Sequence, residues 1–106
     1  MFFVLIPVYQ GEKLLQACLD SVFAQTRQDF SVILVDDGST DGTGALCDRA
    51  QEQDCRVTVI HQQNMGPYGA RRTAISCCLE RAQKGDWAVF LDADDSLKPN
   101  ALETLA

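Results

Sequence analysis

Apolar and polar positions form two alternating patterns along the chain. Short, nearly continuous apolar runs are separated by longer stretches in which apolar residues recur every three or four positions. A continuous apolar run is typical of a strand covered on both faces, and the wider spacing is typical of an amphipathic helix. The runs predict four strands, at residues 2–8, 30–35, 57–60 and 87–91.

The stretches between and after these runs predict helices at residues 12–25, over roughly ten residues after the loop 36–43, at 70–83 and at 97–106. Glu12 would lie in a first helical turn, where a carboxylate suits the helix dipole, and Asp41 or Thr43 would cap the second helix. Three of the helices have predicted inward faces: Leu14, Leu15, Cys18, Leu19, Val22 and Phe23; Leu46, Cys47 and Ala50; Ala74, Ile75, Cys78, Leu79 and Ala82.

The order of these elements predicts the fold class. Strands that alternate with amphipathic helices indicate an α/β fold, a Rossmann-like open parallel sheet with helices on both faces. The chain of 106 residues is long enough for one small domain with its own core. In such sheets ligands bind beyond the carboxyl ends of the strands, so residues at that edge are the first candidates for a site.

The composition favours a soluble globular domain and excludes a broad nucleic-acid interface. Hydrophobic residues make up 46% of the chain, and the net charge of −6 leaves no basic face for nucleic acid. The five cysteines are odd in number, contain no C-x-x-C and accompany a single histidine. We therefore predict neither disulfides nor a zinc site, and a reducing, cytoplasmic location. His61 is predicted to be an exposed residue of the connection 61–69 and not a ligand.

The apolar N-terminus invites comparison with a signal peptide or a membrane span. It has no basic region before it and no small-residue cleavage site, and Pro7 interrupts it. It is also far shorter than the roughly 20 residues that cross a bilayer. We predict that no segment crosses a membrane.

Two of the predicted strands end in carboxylates. Asp92, Asp94 and Asp95 follow the fourth apolar run, and Asp36 and Asp37 follow the second. Carboxylates this close repel one another, and Mg²⁺ or Mn²⁺ would relieve the repulsion while also binding phosphate oxygens. The alternative for each cluster is a solvated turn whose acids cap the next helix.

A further polar element surrounds the start of the third predicted helix. It contains Asn64-Met65-Gly66 and the basic pair Arg71-Arg72. Arginine is suited to bidentate contact with phosphate, although a solvated helix start would also accept these residues. The chain has neither the P-loop pattern nor G-x-G-x-x-G, so any nucleotide must be bound by other means.

Four ordered blocks together resemble the family 2 glycosyltransferases, enzymes of the GT-A fold that use nucleotide-sugar donors. The resemblance extends from residue 3 to the C-terminus. The blocks are Pro7-Val8-Tyr9 with Glu12, the residues 35–43, Asn64-Met65-Gly66 with Ala70-Arg71, and Leu91-Asp92-Ala93-Asp94-Asp95. Two positions depart from the family pattern: Arg72 stands where Asn is usual, and Ala74 stands where Gly is usual.

The resemblance implies roles on the base side of a nucleotide site. The base pocket would be lined by Pro7, Val8 and Tyr9 and closed by Glu12. Asp37 would accept a hydrogen bond from the base, usually uracil, with Asp36 as its support. The implied nucleotide-sugar-binding residues on this side also include Gly38 and Gly66. A glycine at such a position allows the ligand to approach the backbone closely.

On the diphosphate side, the resemblance implies that Arg71 lies near the base or the diphosphate. Asp92 and Ala93 would contact the ribose. Asp94 would bind the Mn²⁺ or Mg²⁺ that bridges the diphosphate, and Asp95 is a second candidate for that metal.

The resemblance also implies a reaction and a missing part. Such enzymes transfer sugar from a nucleotide-diphosphate sugar, usually UDP-linked, with inversion, and they continue past the D-x-D into an acceptor site. Residues 1–106 are therefore predicted to be the donor-binding half of a truncated GT-A domain, which binds nucleotide without transferring sugar. We expect the catalytic base beyond Ala106, a glycan, lipid or protein acceptor, and peripheral membrane association only through the missing part.

Two other classes stay open. In an HAD- or receiver-like phosphoryl-transfer domain, Asp92 would be the nucleophile and Asp94 the second acid. Against this class, no threonine or lysine is placed as its chemistry needs, and the first strand carries no acid. The second alternative is a non-catalytic nucleotide-binding fragment, which would self-associate through an exposed edge strand or an apolar helix face.

Overall fold

The computed structural model describes residues 1–105 as alternating strands and helices. The strands are β1 (Phe2–Val8), β2 (Phe30–Asp37), β3 (Val57–Gln62) and β4 (Trp87–Phe90). The helices are α1 (Leu15–Phe23), α2 (Thr43–Gln53), α3 (Gly66–Arg81) and α4 (Ala101–Leu105). The last predicted helix included Ala106, which lies outside the described residues.

The four strands form one parallel sheet in the order β3-β2-β1-β4. Successive side chains of a strand point to opposite faces, and helices cover both faces of the central strands. Val4 and Ile6 of β1 pack in the core that includes residues of α1, α2 and α4, whereas Phe3 and Leu5 pack in the core that includes residues of α3. The predicted open parallel sheet with helices on both faces is confirmed.

The prediction of a buried fourth strand was wrong in part, because β4 forms an edge of the described sheet. β4 pairs only with β1, and Trp87 and Phe90 are exposed. The apolar run therefore marked a strand correctly but did not reveal its position in the sheet. Leu91 is buried, and its N–H donates to the Leu5 carbonyl at 3.0 Å, so the ladder continues one residue past β4.

Three residues assigned to inward helix faces are exposed. α3 packs on β1 and β2 through Ala70, Ala74 and Cys78, and this narrow line leaves Ile75 and Leu79 in solvent. The third residue, Leu14, precedes α1, which begins three residues later than predicted. Glu12 consequently does not lie in the first turn of a helix.

Strand pairing extends β2 and β3 beyond their apolar runs. Asp36 pairs with His61 and Asp37 pairs with Gln62, so both acids belong to β2 and His61 belongs to β3. The prediction that His61 lies in a loop was wrong. Apolar runs end at these residues, but parallel backbone hydrogen bonds do not depend on side-chain polarity.

The remaining helix boundaries also moved. α3 begins at Gly66, four residues before the predicted start, because Pro67 is compatible with a first helical turn. α4 begins only at Ala101. In residues 1–105, none of the helices combines the length and apolar character needed to cross a bilayer.

Candidate functional site

Two cavities open at the carboxyl ends of the strands, beside β1. In an open parallel sheet, ligands bind beyond the strand ends at the point where the strand order reverses. Here that point is β1, which lies between β2 and β4. One cavity, of about 370 Å³, is lined by Pro7, Val8, Tyr9, Asp37, Asn64, Gly66, Pro67, Ala70, Arg71 and Asp92. The other, of about 440 Å³, is lined by Pro7, Val8, Tyr9, Gln10, Gly11, Leu14, Asp92, Ala93 and Asp94. The two cavities share the end of β1 and Asp92. We call the first the base-side cavity and the second the metal-side cavity, after the ligands that the sequence resemblance implies for their residues.

Asp37 provides a buried carboxylate in the wall of the base-side cavity. Its side chain is held through Oδ1, which accepts from Gln62 Nε2 at 2.9 Å and from the Met65 N–H at 2.8 Å. The Asp37 carbonyl also accepts from Asn64 Nδ2 at 3.2 Å. Both carboxylate bonds among the described residues go to Oδ1, which leaves Oδ2 able to accept from a ligand in the cavity.

The two glycines predicted to bind the nucleotide, Gly38 and Gly66, differ in what surrounds them. Both have left-handed backbone, with φ of 76° and 78°. A Cβ on Gly38 would lie 2.7 Å from the Asn64 nitrogen, whereas a Cβ on Gly66 would meet no atom within 4 Å. Gly38 therefore lets the chain before α3 approach the end of β2, and it does not line either cavity. Gly66 lines the base-side cavity at the start of α3.

Asp36 points away from both cavities, toward α2. Adjacent strand residues face opposite sides of a sheet, so Asp36 and Asp37 cannot share a pocket. The Asp36 carboxylate is buried, contacts His61 Nδ1 at 2.8 Å and accepts from the Ser39 N–H at 3.1 Å. Sequence reasoning missed His61, since its partnership with Asp36 depends on the register of β2 and β3.

Glu12 also lies outside the lining of the two cavities. Its carboxylate accepts from the Gly42 N–H at 2.7 Å, and its own N–H donates to Asp41 Oδ2 at 3.3 Å. Asp41 Oδ1 in turn accepts from the Thr43 N–H at 3.0 Å. In place of the predicted closing contact with the base pocket, Glu12 joins the loop after β1 to the loop after β2.

Gln10 strengthens the connection between these two loops. It has left-handed backbone, with φ of 54°, and its N–H donates to Ser39 Oγ at 2.9 Å. Its Oε1 accepts from the Thr40 N–H at 2.6 Å, and the next N–H, of Gly11, donates to Thr43 Oγ1 at 2.9 Å. These bonds fix the backbone immediately after Tyr9, which lines both cavities.

Three exposed carboxylates gather beyond β4. One oxygen each of Asp92, Asp94 and Asp95 lies within 4.8 Å of the others, and the Asp95 N–H donates to the Asp92 carbonyl at 2.9 Å. A set of carboxylate oxygens fits a hard divalent cation such as Mg²⁺ or Mn²⁺. Asp92 and Asp94 line the metal-side cavity, and Asp95 does not.

Arg71 brings a positive charge to the junction of the two cavities. Its Nη2 lies 3.7 Å from Asp92 Oδ1, and its guanidinium lies 5.7 Å from the centre of the Phe90 ring. The side chain is about half exposed, so this ion pair is weak and the guanidinium remains available to an anion. Arg71 thus places a cation beside Asp92, the acid that lines both cavities.

Cys18 of α1 lies behind the three acids as a neutral thiol. Burial, followed by the charges of Asp95, Asp94 and Asp92, raises the pKa of Cys18 to about 12. Its Sγ donates to the Asp92 carbonyl at 3.7 Å. The residues that could hold a cation here are the three carboxylates, and Cys18 is not one of them.

Proteins of known sequence and structure resemble the chain along almost its whole length. Glycosyltransferase GlyG of Streptococcus pneumoniae serotype 4 (strain ATCC BAA-334 / TIGR4) is 42% identical over 103 residues, which cover 96% of this chain and 33% of GlyG. S. aureus TarS 1-349 in complex with UDP-GlcNAc is similar in structure with a TM-score of 0.83 and 30% identity, over 98% of this chain and 29% of that one.

A third protein extends the comparison to another nucleotide. Mannosyltransferase PcManGT from Pyrobaculum calidifontis, in complex with GDP-Man and Mn²⁺, has a TM-score of 0.77 and 27% identity, over 99% of this chain and 32% of that one. The chain thus spans about a third of the length of these relatives. Residues 3–106 match the family described as glycosyl transferase family 2. The chain is therefore a member of glycosyl transferase family 2, with a Rossmann-like sheet of the GT-A type.

Proposed function

We propose that the chain forms the donor site of a metal-dependent glycosyltransferase and that the donor is a UDP-linked sugar. The observation that carries the proposal is the base-side cavity, where the buried Asp37 carboxylate, the Tyr9 ring and the Arg71 guanidinium surround one space. TarS, which has a similar fold, has been solved with UDP and with UDP-GlcNAc. PcManGT has been solved with GDP-Man, so the choice of base is part of the test.

The base occupies the end of this cavity next to β1. Pro7 and Val8 give an apolar wall, and the half-exposed Tyr9 offers a ring face on which a flat base can stack. Asp37 Oδ2 then accepts from a ring N–H of the base. Uracil presents one such N–H, which matches a single free carboxylate oxygen.

The ribose and diphosphate extend toward the three acids. Asp92 and Ala93 contact the ribose from the metal-side cavity, and Arg71 donates to the diphosphate. Asp94, with Asp95 as the second candidate, would hold Mn²⁺ or Mg²⁺. An ion held there would supply positive charge to balance that of the departing nucleoside diphosphate.

The transfer step needs groups that we do not assign to residues 1–105. The base that deprotonates the acceptor hydroxyl, and the site for a glycan, lipid or protein acceptor, are proposed to lie beyond Ala106. Transfer with inversion, a cytoplasmic location and self-association through the exposed edge of β4 are further predictions of the same account. On this account the chain alone binds the donor and does not transfer its sugar.

Calorimetry with UDP, with and without Mn²⁺, tests the donor site. We expect binding that Mn²⁺ strengthens, and we expect Asp37→Asn to weaken it about tenfold or more, because a hydrogen bond to a charged group is lost. Asp94→Asn should remove the gain from Mn²⁺. Asp20→Asn, which removes an exposed carboxylate on α1, should change neither the affinity for UDP nor the gain in affinity from Mn²⁺.

Three results would contradict parts of the proposal. Absence of UDP binding to the wild-type chain, or unchanged affinity in Asp37→Asn, would remove the base pocket from the account. Stronger binding of GDP than of UDP would keep the site and replace the proposed base.

A further inference from the structure

The chain's single histidine bridges two carboxylates on the side of the sheet that α2 covers. His61 Nδ1 lies 2.8 Å from Asp36 Oδ2, and His61 Nε2 lies 2.7 Å from Asp48 Oδ1. Asp36 belongs to β2 and is buried, whereas Asp48 belongs to α2 and is exposed. One imidazole ring therefore links the central sheet to the helix that covers it.

This geometry fits the doubly protonated ring when both carboxylates are ionised. A neutral imidazole has one N–H, so it can donate to one carboxylate and must present a lone pair to the other. Both ring nitrogens of His61 lie at charge-assisted hydrogen-bonding distance from carboxylate oxygens. Only the imidazolium donates to both, and it also supplies the positive partner that the buried Asp36 carboxylate needs.

The helix approaches this bridge at a glycine. A Cβ on Gly44, in the first turn of α2, would lie 3.1 Å from Asp36 Oδ2 and 3.6 Å from His61 Cε1. Gly44 therefore leaves the space that the carboxylate and the ring occupy. The titratable groups that face His61 from the neighbouring elements are Asp36 from β2 and Asp48 from α2. The buried thiol of Cys47, also on α2, feels the charges of both acids, which together with burial raise its pKa to about 12.

A chain of three hydrogen bonds leads from His61 to the cavity rim. Asp36 accepts from His61 through Oδ2 and from the Ser39 N–H through Oδ1, and Ser39 Oγ accepts from the Gln10 N–H. Gln10 directly follows Tyr9, whose ring lines both cavities. We propose that His61 is a positioning residue for the donor site, whose imidazolium bridge between Asp36 and Asp48 holds the loop after β2 against the end of β1. The link to the donor rests on the proposed function.

The same contacts predict a pH dependence of known sign. Hydrogen bonds that the imidazolium donates to Asp48 and then to Asp36 raise the pKa of His61 above its ordinary value of 6.5. A group whose pKa is higher in the folded state stabilises the fold below its unfolded pKa, and this contribution is lost as the pH rises through the folded pKa. The bridge should therefore hold the loop in mildly acidic solution and release it at higher pH.

The bridge itself is tested without any ligand. The Cε1 proton of the only histidine gives one NMR signal, whose titration should have a midpoint above 6.5. Asp48→Asn should lower that midpoint, while Glu52→Gln, which removes an exposed carboxylate from the same helix, should not. In His61→Gln, the Ser39 amide should exchange with solvent at least about fivefold faster than in the wild type. A midpoint at or below 6.5, or unchanged Ser39 exchange, would overturn the proposal.

UDP affinity tests the link to the donor site. Below the pKa of His61, the ratio of the Kd of His61→Gln to that of the wild type should be at least about five, and it should fall toward one above that pKa. Taking the ratio cancels the titration of UDP itself. Asp48→Asn is the second variant. The pH at which its UDP affinity falls should be lower than the corresponding pH of the wild type. A ratio near one at all pH values refutes positioning and leaves the donor site intact. If UDP does not bind but Ser39 exchange responds to His61→Gln, the donor assignment fails and the positioning of the loop stands.

Discussion

Replacing Gly38 by Ala should destabilise the fold and weaken donor binding together. The substitution places a side chain on a residue with φ of 76°, which costs about 1–2 kcal/mol for an L-residue. The new Cβ would also lie 2.7 Å from the Asn64 nitrogen, so the backbone before α3 must move. That movement breaks the bond from the Met65 N–H to the Asp37 carboxylate, worth about 1.5–3 kcal/mol as a bond to a charged group. We expect a total loss of about 2.5–5 kcal/mol.

Gly85 provides the matched control for this substitution. It has φ of 95°, and a Cβ there would meet no atom within 4 Å, so Gly85→Ala carries only the backbone cost of about 1–2 kcal/mol. Urea unfolding followed by circular dichroism gives the free energy of unfolding of both variants. Calorimetry should show weakened UDP binding for Gly38→Ala and wild-type binding for Gly85→Ala. Equal destabilisation of the two variants would refute the role assigned to the close approach of Gly38 and Asn64.

Three further measurements examine other parts of the account. Burial and the neighbouring acids raise the pKa of Cys18 to about 12, so iodoacetamide should modify the exposed Cys55 and spare Cys18. Mass spectrometry measures the modification of each thiol, and rapid modification of both would show that α1 does not cover the acids as described. Gly44→Ala should fail to give the gain of about 1 kcal/mol usual for a helical glycine, since its Cβ meets Asp36; a full gain in urea unfolding would mean that the Asp36–His61 pair has room to move. Leu102→Ala should cost about 2–5 kcal/mol in the same assay, because Leu102 anchors α4 in the core; a cost well under about 1 kcal/mol would show that α4 contributes little to the fold.

The sequence predicted those features that side-chain periodicity determines directly. The bounds of β1 were predicted correctly, since its unbroken apolar run reflects burial against helices on both faces. The alternation of strands and helices was enough for the α/β class. The acids at 92–95 were also placed correctly beyond the end of a strand, where parallel sheets bind ligands.

The features that were missed depend on long-range pairing. Hydropathy does not show that β4 forms an edge, because an apolar strand looks the same at the centre of a sheet. Asp36 and Asp37 look equivalent in sequence, and only the strand geometry sends one toward α2 and the other into the base-side cavity. Glu12 matched a family position, but its hydrogen bond to the Gly42 N–H spans two loops 30 residues apart and has no local signature.

The central claim is that one site holds the base at Asp37 and the metal at Asp94. A crystal structure of the chain grown with UDP and Mn²⁺ tests it most directly, because anomalous scattering locates the manganese independently of the nucleotide. The account predicts an anomalous peak within ligand distance of Asp94, with the uracil against Tyr9 and its ring N–H directed at Asp37. Nucleotide bound elsewhere, or manganese distant from the three acids, would contradict it.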